Sequence, residues 1–165
     1  MKILFSLLIA AFVIFSDSFI NASELSESNT GTFILILNNP LGESAEVIAA
    51  FGYRTHPING EERHHSGIDF EVNIDDPVYA SAAGIVRFAG TKASYGKVVE
   101  ITHEGGYVTR YAHLSGFGDS IGEGSVVEAG QQIGKAGKTG HITSPVLHFE
   151  LMKHGELVNP ESYFR

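Results

Sequence analysis

The chain has 165 residues, 43% of them hydrophobic, and 19 acidic against 11 basic side chains give a net charge of −8. That suits one domain with one buried core, and the acidic balance excludes the basic footprint of a nucleic-acid binder. Cysteine is absent, so neither a disulfide framework nor a lipoprotein site is encoded.

The N-terminus has the order of a secretory signal: Lys2, an apolar run from Ile3 to Phe15, then a polar stretch of small residues. The run is shorter than the ~20 residues that span a bilayer. Residues 1–22 are therefore expected to be a signal peptide, with an uncleaved anchor as the alternative. Residues 23–45 read as a polar linker ("SELSESNTGT") followed by a short apolar strand ("FILIL", 33–37) that "NNPLGE" breaks. Gly42–Ala50 is the one weak helical candidate. From residue 46 to 165 the chain alternates short apolar runs with glycine turns. "PVYASAAGIVRFAG" holds two strands split near Ala82–Gly84, and "KVVEITHEGGYVTRYAHL" is a hairpin about an "EGG" turn. "GSVVEAGQQIGKAG" is glycine-punctuated β structure, and "VLHFEL" with "KHGELV" makes a last strand and turn. The expected fold is one all-β domain of short antiparallel strands, a β-sandwich or partly closed barrel.

The eight histidines point to the chemistry. In "RHHSGIDFE", His65 and Asp69 flank Gly67, and an imidazole and a carboxylate are both ligands for Zn²⁺. A glycine between them allows the chain to turn sharply. In "VLHFEL", strand alternation sets Leu147, Phe149 and Leu151 on a core face and Val146, His148 and Glu150 on the other. In "GYVTRYAHLS" the same rule groups Tyr107, Thr109, Tyr111 and His113 away from the core. His65, Asp69 and His148 fit a three-ligand zinc set with an open position, and His113 fits a neighbouring proton or oxyanion helper.

With these segments assembled, the chain from about Phe51 to Phe164 resembles the LytM/lysostaphin-type zinc endopeptidases, which cut peptide cross-links in bacterial cell walls. The resemblance rests on "FGYRTHPINGEERHHSGIDF", "PVYASAAGIVRFAG", "YGKVVEITHEGGYVTRYAHLS", "GEGSVVEAGQQIGKAGKTG" and "LHFEL". It implies the duplicated hybrid motif fold over residues 46–165, an exported location (periplasmic or extracellular), and a Zn²⁺ cofactor. It matches His65 and Asp69 to the family's His-x-x-x-Asp ligands, His148 to the third ligand, and His113 to a catalytic histidine. His64 is out of spacing with Asp69, and His56 reads as loop structure near the groove. One position departs: the first histidine of the family's His-x-His pair, a second catalytic residue, is here Val146. His141, five residues earlier, is the candidate substitute.

The resemblance implies peptidoglycan stems or cross-bridges as partner; the acidic balance argues against nucleic acid, and the N-terminal segment allows membrane contact only if it stays uncleaved. The function expected is a zinc metalloendopeptidase acting on peptidoglycan, its activity lowered by Val146. The alternative is a non-catalytic zinc-binding domain that holds wall peptides or regulates another wall hydrolase.

Overall fold

The computed structural model describes residues 34–42, 45–55 and 60–165. The expected signal segment, residues 23–33 of the expected linker and His56 lie outside these. Thirteen strands follow in chain order: β1 (Val47–Ala49), β2 (Gly52–Thr55), β3 (Glu62–His65), β4 (Ile68–Glu71), β5 (Pro77–Tyr79), β6 (Gly84–Lys92), β7 (Gly96–Thr102), β8 (Tyr107–Leu114), β9 (Gly116–Phe117), β10 (Val126–Val127), β11 (Gln132–Lys135), β12 (Val146–Lys153) and β13 (Glu156–Val158). Single 3₁₀ turns are the only helical elements among the described residues. The all-β expectation holds, with short antiparallel strands throughout.

The main sheet runs β1-β4-β12-β8-β7-β6-β10, with β13 folded back beside β12. A three-stranded sheet, β5-β11-β9, and the β2-β3 hairpin complete the fold. The two strands expected on either side of Ala82–Gly84 are present as β5 and β6, which join different sheets, and the expected hairpin is present where β7 returns into β8 through Glu104–Gly106. Gly42–Ala50 is not helical in its described part. β1 occupies it and pairs antiparallel with β4, Val47 opposite Phe70, so long-range pairing overrides a weak local pattern. The "FILIL" run contributes one parallel bridge, Leu37 to Phe164, and its Leu35 and Leu37 are buried in the core.

Alternation across the main sheet sorts the side chains. Ile68 and Phe70 from β4, Leu147, Phe149 and Leu151 from β12, and Val99 and Ile101 from β7 fill the core. The β12 faces are as the sequence predicted. Those of β8 are not: Tyr107 and Tyr111 belong to the core, where Tyr111 packs on Phe149 and its hydroxyl accepts a bond from the Ser81 amide at 2.8 Å. Arg110 and Ala112, paired with Glu150 and His148, take the opposite face.

The opposite face carries a buried row of charge. Glu150 on β12 stands opposite Arg110 on β8, and Arg110 stands opposite Glu100 on β7. Arg110 donates to both carboxylates. Glu100, with a side chain 3% exposed, also receives Arg87 at 2.9 Å and Lys92 at 2.7 Å. Burial alone would raise the Glu100 pKa. The hydrogen bonds from Lys92 and Arg110 and the charges of Arg110 and Arg87 outweigh it and hold the group at about 2.

A carboxylate depressed in this way stabilises the fold above its ordinary value of 4.5 and loses that contribution as pH falls through about 2. Glu100→Gln is expected to cost up to about 3–5 kcal/mol at neutral pH, because it removes the buried charge that Arg87 and Lys92 face and one of the two carboxylates that share Arg110. Denaturant unfolding across a pH series checks this: the variant's stability should be flatter than the parent's between pH 4.5 and 2.

Candidate metal centre

Three strands bring the predicted ligands together. β3 ends at His65, a two-residue bend follows, and β4 carries Asp69. β12 then lies beside β4 with His148 directly opposite Asp69. The bend works through close approach: a Cβ on Gly67 would sit 2.2 Å from the Phe149 carbonyl oxygen and 2.9 Å from Glu150 Cγ. Only a residue without a side chain lets the β3–β4 corner lie against β12. The sequence had assigned this glycine to a sharp turn instead; its φ is not positive.

The donor atoms form a small triangle. His65 Nε2 is 3.2 Å from both Asp69 Oδ1 and His148 Nδ1, and His148 Nδ1 is 2.6 Å from Asp69 Oδ1. Two nitrogens bound to one tetrahedral Zn²⁺ at ~2.0 Å would be about 3.3 Å apart. The donor chemistry and the nitrogen–nitrogen spacing both suit that ion. Each imidazole is fixed from its far side. His65 Nδ1–H donates to the Ala50 carbonyl at 2.8 Å, which leaves Nε2 as the free nitrogen. His148 Nε2 lies 3.1 Å from Glu150 Oε1.

Electrostatics bind the three groups tightly in the metal-free protein. Burial alone would raise the Asp69 pKa, but hydrogen bonds and charge from His148 and His65 hold it well below the usual carboxylate range. Burial would lower His148, but Asp69 and Glu150 hydrogen-bond to it and raise it to about 9.

His113 reaches the same cleft by an irregularity. The β7–β8 register shifts between Lys97 (opposite Leu114) and Val99 (opposite Tyr111). Ala112 and His113 together oppose Val98, a β-bulge. His113 takes φ 63°, a conformation that costs a non-glycine residue energy and gathers at functional sites. The bulge turns His113 out of the core row and sends Leu114 into the core. Its ring centroid is 6.1 Å from that of His148. His113 Nδ1–H donates to the Thr139 carbonyl at 2.8 Å, so Nε2 is left without that bond. Burial pushes its pKa down.

Thr139 is itself locked, donating to the Leu114 carbonyl at 2.7 Å and accepting from the Lys97 amide at 2.9 Å. The next residue, Gly140, has φ 84° and packs so closely that a Cβ would meet Ser94 O at 2.3 Å. His141 follows, its amide bonded to Ser94 O. His141, Val146, Arg54, Tyr95 and His113 share with the triad the walls of an open cleft of 280 Å³. His64 points elsewhere, between the rings of Phe51 and Tyr53.

Sequence reasoning missed what lies behind the triad. Glu150 is fully buried and accepts from Ser66 Oγ at 2.6 Å and Tyr95 OH at 2.8 Å, besides Arg110. Its position two residues after His148 on one face was the available signal; nothing local said that it would be covered.

The model of Peptidase family M23 matches residues 63–160. The DD-carboxypeptidase/endopeptidase Mpg of Neisseria meningitidis is 45% identical over 116 residues, which are 70% of this chain and 26% of that protein. The peptidoglycan DD-endopeptidase ShyA of Vibrio cholerae is 41% identical over 106 residues, 64% of this chain and 24% of that protein. The chain thus spans about a quarter of the length of these relatives. A crystal structure of a zinc-containing peptidase from Vibrio cholerae aligns with TM-score 0.69 at 33% identity, covering 75% of this chain and 39% of that one. The match covers more than half of the chain and includes all three residues of the donor triangle: the chain belongs to peptidase family M23, the metallopeptidase family that its LytM/lysostaphin-like motifs implied.

Proposed function

We propose that this protein is an exported zinc metalloendopeptidase that cleaves peptide cross-links of peptidoglycan, with turnover lowered by Val146. The observation that carries the reading is the donor triangle of His65 Nε2, Asp69 Oδ1 and His148 Nδ1, set in the wall of an open cleft. The names of the relatives supply the substrate class. Residues 1–22 supply the export signal and residues 46–165 the catalytic unit.

Zn²⁺ held by His65, Asp69 and His148 supplies Lewis acidity toward a scissile carbonyl and acidifies water at the open position. The remaining work falls to the chain. His65 and His148 are held by Ala50 and Glu150 so that one nitrogen of each faces the centre. His113, anchored through Nδ1, offers Nε2 to the developing oxyanion or to a proton in transit. Val146 can do neither. His141 lines the same cleft and is the side chain offered as its substitute.

Digestion of purified wall material, with fragment ends analysed, tests the reading. New peptide ends are expected, and a chelator should abolish them. Zinc bound with no cleavage would overturn the enzyme reading in favour of a wall-binding domain. His113→Ala is expected to lower kcat/KM by about 10²–10⁴-fold, with zinc stoichiometry unchanged by metal analysis. Val146→His should raise kcat/KM by about 10-fold or more, and His141→Ala should reduce what the parent retains. Cleavage unchanged in His141→Ala removes His141 from the mechanism.

A further inference from the structure

The carboxylate of Glu150 has more partners than a strand residue needs. It is fully buried. Its Oε1 receives Ser66 Oγ at 2.6 Å, Tyr95 OH at 2.8 Å and His148 Nε2 at 3.1 Å, and its Oε2 receives Arg110 Nη1. Three of these donors cannot be anything but donors toward a carboxylate, and they fix its two oxygens in place. A carboxylate without a proton accepts only, so the hydrogen on the 3.1 Å contact belongs to His148 Nε2. The other nitrogen, Nδ1, is then the one that faces Asp69 Oδ1 and His65 Nε2.

We propose that Glu150 is a positioning residue for the metal centre: held by Arg110, Tyr95 and Ser66, it keeps the hydrogen of neutral His148 on Nε2 and presents Nδ1 as the ligand atom. The inference rests on His65, Asp69 and His148 holding zinc. Arg110 makes the placement rigid, since it is clamped in turn by Glu100 on the far strand. Tyr95 is the other brace. Its ring lies under the Arg110 guanidinium at 4.9 Å and beside His148 at 5.8 Å, so it packs against both groups that flank the carboxylate. Partners of this kind, behind a ligating histidine, typically change metal affinity by about 10–100-fold when removed.

Glu150→Gln keeps the size of the side chain but can turn an N–H donor toward His148 Nε2. That would favour the tautomer with hydrogen on Nδ1, which cannot bind metal through that atom. Zinc affinity measured by competition with a chromogenic chelator should fall by about 10–100-fold in the variant, while circular dichroism shows the parent's β content. Nitrogen-15 spectra of histidine-labelled parent protein give the second readout, independent of any variant's folding. In the zinc-loaded parent, His148 should keep a slowly exchanging Nε2–H, and Nδ1 should carry the metal shift. A folded Glu150→Gln with the parent's affinity overturns the proposal, as does a parent whose His148 binds zinc through Nε2. A parent that binds no zinc overturns the metal reading as well. Absence of wall cleavage with these zinc results intact overturns only the enzyme reading.

Discussion

The register of β12 against its two neighbours is the constraint on which the site depends. It sets His148 opposite Asp69 on β4 and Glu150 opposite Arg110 on β8. A slip of one residue would turn every one of these side chains to the other face and send Leu147, Phe149 and Leu151 toward the cleft. Those three are fully buried, and burying such side chains is worth about 1.5–3 kcal/mol each. The hydrophobic face therefore enforces the placement of the polar one. The placement of His148 beside Asp69 follows from core packing alone.

The polar face has its own energetic logic. Three ionised groups, Glu150, Arg110 and Glu100, stand in a row across β12, β8 and β7. Buried ion pairs of this kind bring little net stability over a hydrophobic replacement, because desolvation offsets the attraction. What the row does provide is position. The Arg110 fork is shared between two carboxylates, which ties the position of Glu150 to that of Glu100. Stability comes from one side of the sheet and side-chain placement from the other. His113 is placed by a third device, a bulge and a left-handed backbone stapled to Thr139, where local strain is offset by the surrounding bonds.

Much of this was legible in the chain. β12 shows clean alternation, and the glycine-marked turns gave the hairpins. The His65–Asp69 spacing was readable because both residues sit beside one corner. Other features depended on contacts that no local pattern carries. The faces of β8 were inverted because a bulge at Ala112–His113 breaks the period of two. Alternation grouped Tyr111 with His113 away from the core, yet the Tyr111 hydroxyl is satisfied inside the core by a backbone amide from Ser81. Glu150 looks like any solvent-facing glutamate on a strand; its burial comes from Arg110, Tyr95 and Ser66, which are 40, 55 and 84 residues away. Gly67 was singled out correctly but for conformational freedom, whereas the cause is a backbone carbonyl from a strand some eighty residues later.

Val146 stands apart from all of these supports. It opens β12 opposite Glu71, before the residues of β12 that pair with β8, and it is half-buried in the cleft wall. None of the bonds that orient His65, Asp69 or His148 passes through its side chain; those run to Ala50, to one another and to Glu150. The bracing of the three donor residues thus does not depend on the side chain at this position. In the proposed mechanism, holding a metal and moving a proton would be physically separable, because one depends on strand register and the other on a single side chain at the strand's end. On the proposed reading, a valine there would lower the rate without disturbing the frame that holds His65, Asp69 and His148.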